Sequence, residues 1–168
     1  MKFQVQILRE GLVDYDVAWR LQREKAEEVR NDPGRAFLML LEHPPVFTLG
    51  KNGDAGNILK AGEIPVRHID RGGDVTYHGP GQLVGYPILS LREHRLGVRS
   101  YVERLEGTVL QTLDDLGVSA HRTPGCVGIW TQRGKIASIG VRVGRGVTMH
   151  GFALNVNGDL TPFSFINP

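Results

Sequence analysis

The chain has 168 residues, 40% hydrophobic and 23% charged, and its twenty basic and eighteen acidic side chains leave a net charge of +2. That length suits one domain with a real core, and the near-balance without long like-charge runs gives no electrostatic footprint for nucleic acid. A single cysteine, Cys126, excludes an internal disulfide. No apolar run approaches the roughly 20 residues of a membrane span, and the polar–apolar start Met1 to Gln6 is not a signal-peptide core. A soluble cytoplasmic protein, with no nucleic-acid or membrane partner, is expected.

Taken in order, Phe3, Val5 and Ile7 alternate with polar residues and predict a half-buried strand ended by Gly11. Asp14 is placed to cap a helix from Tyr15 to about Asn31, whose apolar positions Tyr15, Ala18, Trp19, Ala26 and Val29 share a face. Asn31-Asp32-Pro33-Gly34 stops it. Phe37 to Leu41 is a continuous apolar run, expected as a buried strand, and Val46 to Leu49 a second short one. Val66 to Ile69 and Val84 to Leu91 read as strands on either side of a long Gly-rich loop. Ser100, with Glu103 three residues on, has capping-box spacing and opens a second helix that Gly117 ends after Leu116. Short strands are expected at Val118 to Arg122 and Val127 to Trp130. Arg133-Gly134 turns the chain, and long strands follow at Lys135 to Val143 and Val147 to Val156. The whole reads as one α+β domain with a mostly antiparallel sheet and helices packed on it.

The Gly-rich loop is Arg71-Gly72-Gly73-Asp74-Val75-Thr76-Tyr77-His78-Gly79-Pro80-Gly81-Gln82. Glycines let a ligand approach the backbone closely. Arg71, Thr76 and His78 add donors and one group that titrates near neutrality. A plain surface turn rarely needs so many different polar groups in a row, so the loop is expected to carry function. Other signals are weaker alone. Lys135 starts a strand after a turn. Ser138-Ile139-Gly140 and His150-Gly151 place glycines within strands, a mark of close approach. The six histidines show no metal-ligand spacing, and no GxSxG elbow, P-loop or dinucleotide fingerprint is present. Cys126 has apolar neighbours and reads as structural.

The combination is more specific than its parts. Arg71 to Leu83 resembles the signature of the lipoyl(octanoyl) transferases of lipoate biosynthesis. Gly134-Lys135-Ile136-Ala137-Ser138-Ile139-Gly140-Val141-Arg142 resembles that family's lysine segment, and His150-Gly151-Phe152-Ala153-Leu154-Asn155-Val156 its next strand. The tail Leu160 to Pro168 fits as well. The resemblance implies the fold shared by biotin and lipoate protein ligases, over residues 1–168. It implies transfer of octanoyl from acyl carrier protein to a lysine of lipoyl-carrier domains, namely the glycine cleavage H protein and the 2-oxoacid dehydrogenase E2. A cysteine acyl-enzyme paired with Lys135 is implied, with no cofactor and no metal. Arg71, Gly72, Gly73, Asp74, Val75, Thr76, Tyr77 and His78 would line the acyl pocket. Ser138, Ile139, Gly140, His150, Gly151, Phe152 and Ala153 would complete it. The family's cysteine follows an Asn-Pro pair, and this sequence stops at Asn167-Pro168. The expectation is therefore a copy truncated at its C-terminus and lacking its nucleophile. Two other readings are an ATP-dependent lipoate or biotin protein ligase, and a non-catalytic acyl-binding module.

Overall fold

The structure is a computed structural model that describes residues 4–167. Phe3 of the first expected strand, and Pro168, lie outside the described residues. Among the described residues, ten strands and two α-helices follow in the order β1 (Gln4–Leu12), α1 (Tyr15–Asn31), β2 (Arg35–Glu42), β3 (Val46–Leu49), β4 (Val66–His68), β5 (Val75–His78), β6 (Gln82–Ile88), α2 (Val98–Asp115), β7 (His121–Thr123), β8 (Cys126–Thr131), β9 (Gly134–Gly144) and β10 (Val147–Asn155).

Seven strands form one sheet in the order β1-β2-β6-β10-β9-β8-β7, and β4-β3-β5 form a second, smaller one. Among these pairs β1 with β2 and β3 with β4 run parallel and the rest antiparallel, so the sheets are mostly antiparallel as expected.

α1 forms because its apolar residues recur at three- and four-residue steps. Tyr15, Ala18, Gln22, Ala26 and Val29 are buried. The inner face packs on Phe37, Met39 and Leu41 of β2, Val84, Tyr86 and Ile88 of β6, and Val147, Met149 and Ala153 of β10. Asp14 caps it, its Oδ1 accepting from the N–H groups of Asp16 at 2.9 Å and Val17 at 3.3 Å. Asp14→Ala is expected to lower unfolding stability by about 1 kcal/mol, measured by urea titration.

α2 packs on the other face, Val109 and Leu113 meeting Ile129, Ala137 and Leu154. Its start differs from the sequence reading. The helix begins at Val98 with Gly97 as N-cap, and Ser100 sits one turn inside. The Ser100 hydroxyl accepts from Gly97 N–H at 3.1 Å and donates to Gly97 carbonyl at 3.0 Å, so it serves the cap from within. Gly117 ends the helix at φ 74, and Val118 N–H returns to Leu113 carbonyl at 2.8 Å.

Two further expectations are corrected. β1 is not half-buried: it is an edge strand, and Val5 and Ile7 are both exposed. Its alternating pattern specified a strand but not a neighbour to cover it. The Gly-rich stretch is not one long loop. Val75 to His78 form β5, fully buried and paired antiparallel to β3. Flanking glycines masked this four-residue strand.

Candidate active site

The cavity floor comes from the pairing of β9 and β10. Ser138 pairs with Ala153, Gly140 with Gly151, and Arg142 with Met149. Directly paired residues share a face, so at the first two of these pairs small side chains meet small ones and leave a trough, which the Arg142–Met149 pair closes at one end. Arg71 fills part of it. A Cβ on Gly140 would stand 2.7 Å from Arg71 Cδ and 2.9 Å from its Nη1, so only glycine there lets the guanidinium stem lie on the sheet. Gly140→Ala is expected to push Arg71 off that floor and to lower unfolding stability by about 1–3 kcal/mol, read by urea titration.

Arg71 is held without a carboxylate. Its Nη2 donates to Asp74 carbonyl at 2.8 Å, Thr48 carbonyl at 3.3 Å and Thr48 Oγ1 at 3.4 Å, and its Nη1 to Gly72 carbonyl at 2.6 Å. Its Nε has no partner among the described residues. Burial lowers its pKa, which is the cost of a cation kept among neutral acceptors.

Above the floor, a mainly apolar cavity of about 430 Å³ is lined by Arg71, Gly73, Asp74, Val75, Thr76, Val127, Lys135, Ser138, Ile139, Asn155, Leu160 and Phe163. This falls within the size range of small-molecule sites. A smaller chamber of about 40 Å³ shares Arg71, Ser138 and Ile139 with it and adds Tyr15, His78, Tyr86, Gly140, His150, Gly151, Phe152 and Ala153. The three sequence segments therefore do converge. Gly72 and Tyr77 are the exceptions, lining neither space. Gly72 N–H is committed to Val141 carbonyl at 3.0 Å, and the Tyr77 ring packs between Phe47 and Phe163. Val127, Asn155, Leu160, Phe163, Tyr15 and Tyr86 were not singled out from sequence. All but Asn155 are ordinary core or surface types, with no local signal to raise them.

The chamber wall is a buried network. His43 donates from Nδ1 to Val13 carbonyl at 2.7 Å, and its Nε2 accepts from the Tyr86 hydroxyl at 2.7 Å. His78 donates from Nδ1 to Gln82 Oε1 at 2.7 Å. Burial, with the nearby His43, pushes the His78 pKa down to about 3. His150 is the strained member, with φ 57 in the middle of β10. That conformation is held by two bonds. His150 N–H donates to Gln22 Oε1 at 2.8 Å, and its Nε2 donates to Asp70 Oδ1 at 2.9 Å. Asp70 is also ion-paired with Arg142 at 2.8 Å. Gln22, a polar residue on the buried face of α1, is thus a prop that helical periodicity alone passed over.

Lys135 stands at the other end. It is solvent-accessible, but its stem turns back across β8 and its Nζ lies 5.0 Å from the Trp130 ring centre. Burial of that end lowers its pKa, Cys126 opposes the shift, and Arg71 adds to it. Cys126 corrects the sequence reading: it is exposed, at the start of β8, and near enough to Lys135 for their charges to interact. Among the described residues no three His, Cys, Asp or Glu side chains gather as metal ligands, and no helix is long and apolar enough to cross a membrane.

A family model described as the lipoyl protein ligase A/B catalytic domain matches residues 14–168. An octanoyltransferase of Geotalea uraniireducens is 54% identical over 158 residues, covering 94% of this chain and 73% of that protein. An octanoyltransferase of Xanthomonas campestris pv. campestris is 47% identical, covering 94% of this chain and 68% of its own length. In structure, the bipartite lipoate protein ligase of Thermoplasma acidophilum superposes with a TM-score of 0.77 at 19% identity, over 98% of this chain and 66% of that one. The biotin acetyl coenzyme A carboxylase synthetase of Helicobacter pylori reaches 0.54 at 12%, over 97% and 69%. These distant likenesses establish the lipoate and biotin protein ligase fold. With relatives near half identity over nearly all its residues, the chain belongs to the lipoyl protein ligase A/B catalytic-domain family, among its octanoyltransferases.

Proposed function

We propose that the chain moves an octanoyl group from acyl carrier protein to a lysine of lipoyl-carrier domains, through a cysteine acyl-enzyme and without a cofactor. The observation that carries this reading is the apolar cavity with the Lys135 side chain at its wall. An alkyl chain gains about 0.8 kcal/mol per CH₂ removed from water, and Ile139, Val75, Leu160 and Phe163 offer it apolar contacts.

The thiol is the cysteine that the family resemblance puts directly after Asn167-Pro168. A thiolate beside the Lys135 ammonium attacks the thioester carbonyl. The carbon–sulfur bond to the carrier breaks, and the carrier thiolate leaves and takes up a proton. In the second half, the amine of the acceptor lysine attacks the acyl-enzyme. Neutral Lys135 takes the proton that amine loses, and the enzyme thiolate is released. The lowered pKa of Lys135 suits both states. The N–H groups of Gly72 and Val75 are already bonded, to Val141 carbonyl and Asp74 Oδ1. Stabilisation of the oxyanion is therefore assigned to Lys135 rather than to them.

The test uses the protein extended past Pro168 by a cysteine. Mixed with octanoyl-acyl carrier protein alone, it should gain one octanoyl group in its intact mass, labile to hydroxylamine. Cys126→Ser should gain it equally. An octanoyl group that is lost with Cys126→Ser, or never forms, overturns the assignment.

A further inference from the structure

Gly128 lies in β8 at φ 128, a conformation that favours glycine. Opposite it the ladder is irregular. Ile129 pairs with Ala137, but Trp130 pairs with Lys135, so Ile136 is an extra residue in β9. Such a bulge re-aims the neighbouring side chain. The Lys135 stem consequently lies across the bare Cα of Gly128. A Cβ built there would be 2.5 Å from Lys135 Cε, 3.2 Å from its Nζ and 2.7 Å from Ala137 carbonyl oxygen.

Gly128 is itself tied down from the far side of the sheet. Its N–H donates to Glu106 Oε1 at 3.0 Å, a bond buried beneath α2. Glu106 is 6% exposed. Its other oxygen accepts from Arg122 Nε at 2.9 Å, and Arg122 Nη2 donates to Glu103 carbonyl at 2.8 Å. A buried carboxylate is costly unless paired and hydrogen-bonded, and here the pairing fixes one backbone N–H of an otherwise irregular strand.

We propose that Gly128 is the seat of the Lys135 side chain and that Glu106 is the positioning residue that holds the seat in place. Neither touches substrate. Glu106 acts through Gly128, and Gly128 acts on Lys135. The inference rests on the catalytic reading of Lys135 for its meaning, but its geometry does not depend on that reading. The groups facing the Lys135 ammonium are Cys126 and the Trp130 ring from β8 and Arg71 from the turn before β5. Filling the seat moves the ammonium outward from this partly buried place toward water.

The test is the pH dependence with which Lys135 reacts with acetic anhydride, followed peptide by peptide, using exposed Lys51 as internal reference. It needs no transfer activity. In the unaltered chain Lys135 should react at lower pH than Lys51. In Gly128→Ala its midpoint should rise toward that of Lys51, lowering its relative reactivity below the midpoint about threefold or more, since one pKa unit is a factor of ten. Glu106→Ala should shift it the same way. Glu106→Gln, which keeps an acceptor for Gly128 N–H, should shift it less. Circular dichroism and thermal melts identify any variant that fails to fold, and if Gly128→Ala does, the two Glu106 variants decide. Midpoints unchanged in folded Gly128→Ala, or unchanged in Glu106→Ala, overturn the proposal. Retained transfer in a Lys135→Ala protein would instead remove the catalytic reading and leave the seat standing.

Discussion

Lys135→Ala is expected to lower octanoyl transfer by about a thousandfold, within the 10²–10⁴ range of positioned proton-transfer groups. The side chain follows a hairpin turn, is solvent-accessible and contributes no core packing. The fold should survive, with the melting temperature nearly unchanged. The loss should fall on both halves of the reaction, because the ammonium supports the thiolate and the free amine accepts a proton. Burst measurements of acyl-enzyme formation, and separate measurements of deacylation by a lipoyl domain, divide the two. Near-normal rates in both would remove Lys135 from the mechanism. Lys135→Arg should rescue the first half better than the second, since a guanidinium supplies charge but does not give up its proton.

Acid should destabilise this protein at a pH where most carboxylates are still ionised. His43, His78 and His150 are buried, and desolvation lowers the pKa of each. His78 stays neutral in the folded state, and His43 and His150 resist protonation more than in the unfolded chain, which binds protons below about pH 6.5. The unfolded state therefore holds more protons below that value, and stability falls as the pH falls. For His78 the fall continues down to about pH 3. An imidazole that is still neutral contributes about 1.4 kcal/mol per pH unit near pH 5; His78 does so throughout that range, and His43 and His150 add to it above their own lowered pKa. Over two such units His78 alone removes about 3 kcal/mol, a large part of a usual total of about 5–15 kcal/mol. Asp70 works in the same direction at lower pH. Burial raises its carboxyl pKa, but the hydrogen bond from His150 and the positive charge of Arg142 outweigh that and hold it below the usual range. Urea unfolding between pH 7 and 4.5 should show this slope. In His78→Asn the slope near pH 5 should fall by about 1.4 kcal/mol per pH unit. A flat profile from pH 7 to 5 would contradict neutral burial of the three rings.

Much of this was legible in the sequence, and the reasons are specific. α1 was readable because Asp14, its buried face and the Asn31–Gly34 stop agree. The trough was readable from Ser138-Ile139-Gly140 and His150-Gly151-Phe152-Ala153, because a small residue inside a strand packs little and leaves room for a ligand or a neighbouring chain. β5 was not, since its four residues sit among turn-forming glycines and become a strand only by pairing with β3. Gln22 and Glu106 were not either. Each looks like a polar residue on a helix, and each acts by holding a backbone N–H more than twenty residues away, His150 for one and Gly128 for the other. Tyr15 read only as an apolar position of α1, and Tyr86 only as part of a strand, until tertiary packing brought both to the chamber wall. Cys126 was misplaced because apolar neighbours in sequence do not guarantee cover in space: Val127 beside it is exposed too.

The central claim is octanoyl transfer between two carrier proteins without nucleotide. Its most direct measurement mixes octanoyl-acyl carrier protein, a lipoyl-carrier domain and the protein extended past Pro168 by a cysteine, and follows the intact mass of the domain. One octanoyl group should appear on a single lysine of the domain in the absence of ATP. A domain that stays unmodified under those conditions, yet gains octanoyl when ATP and free octanoate are supplied, would contradict the account.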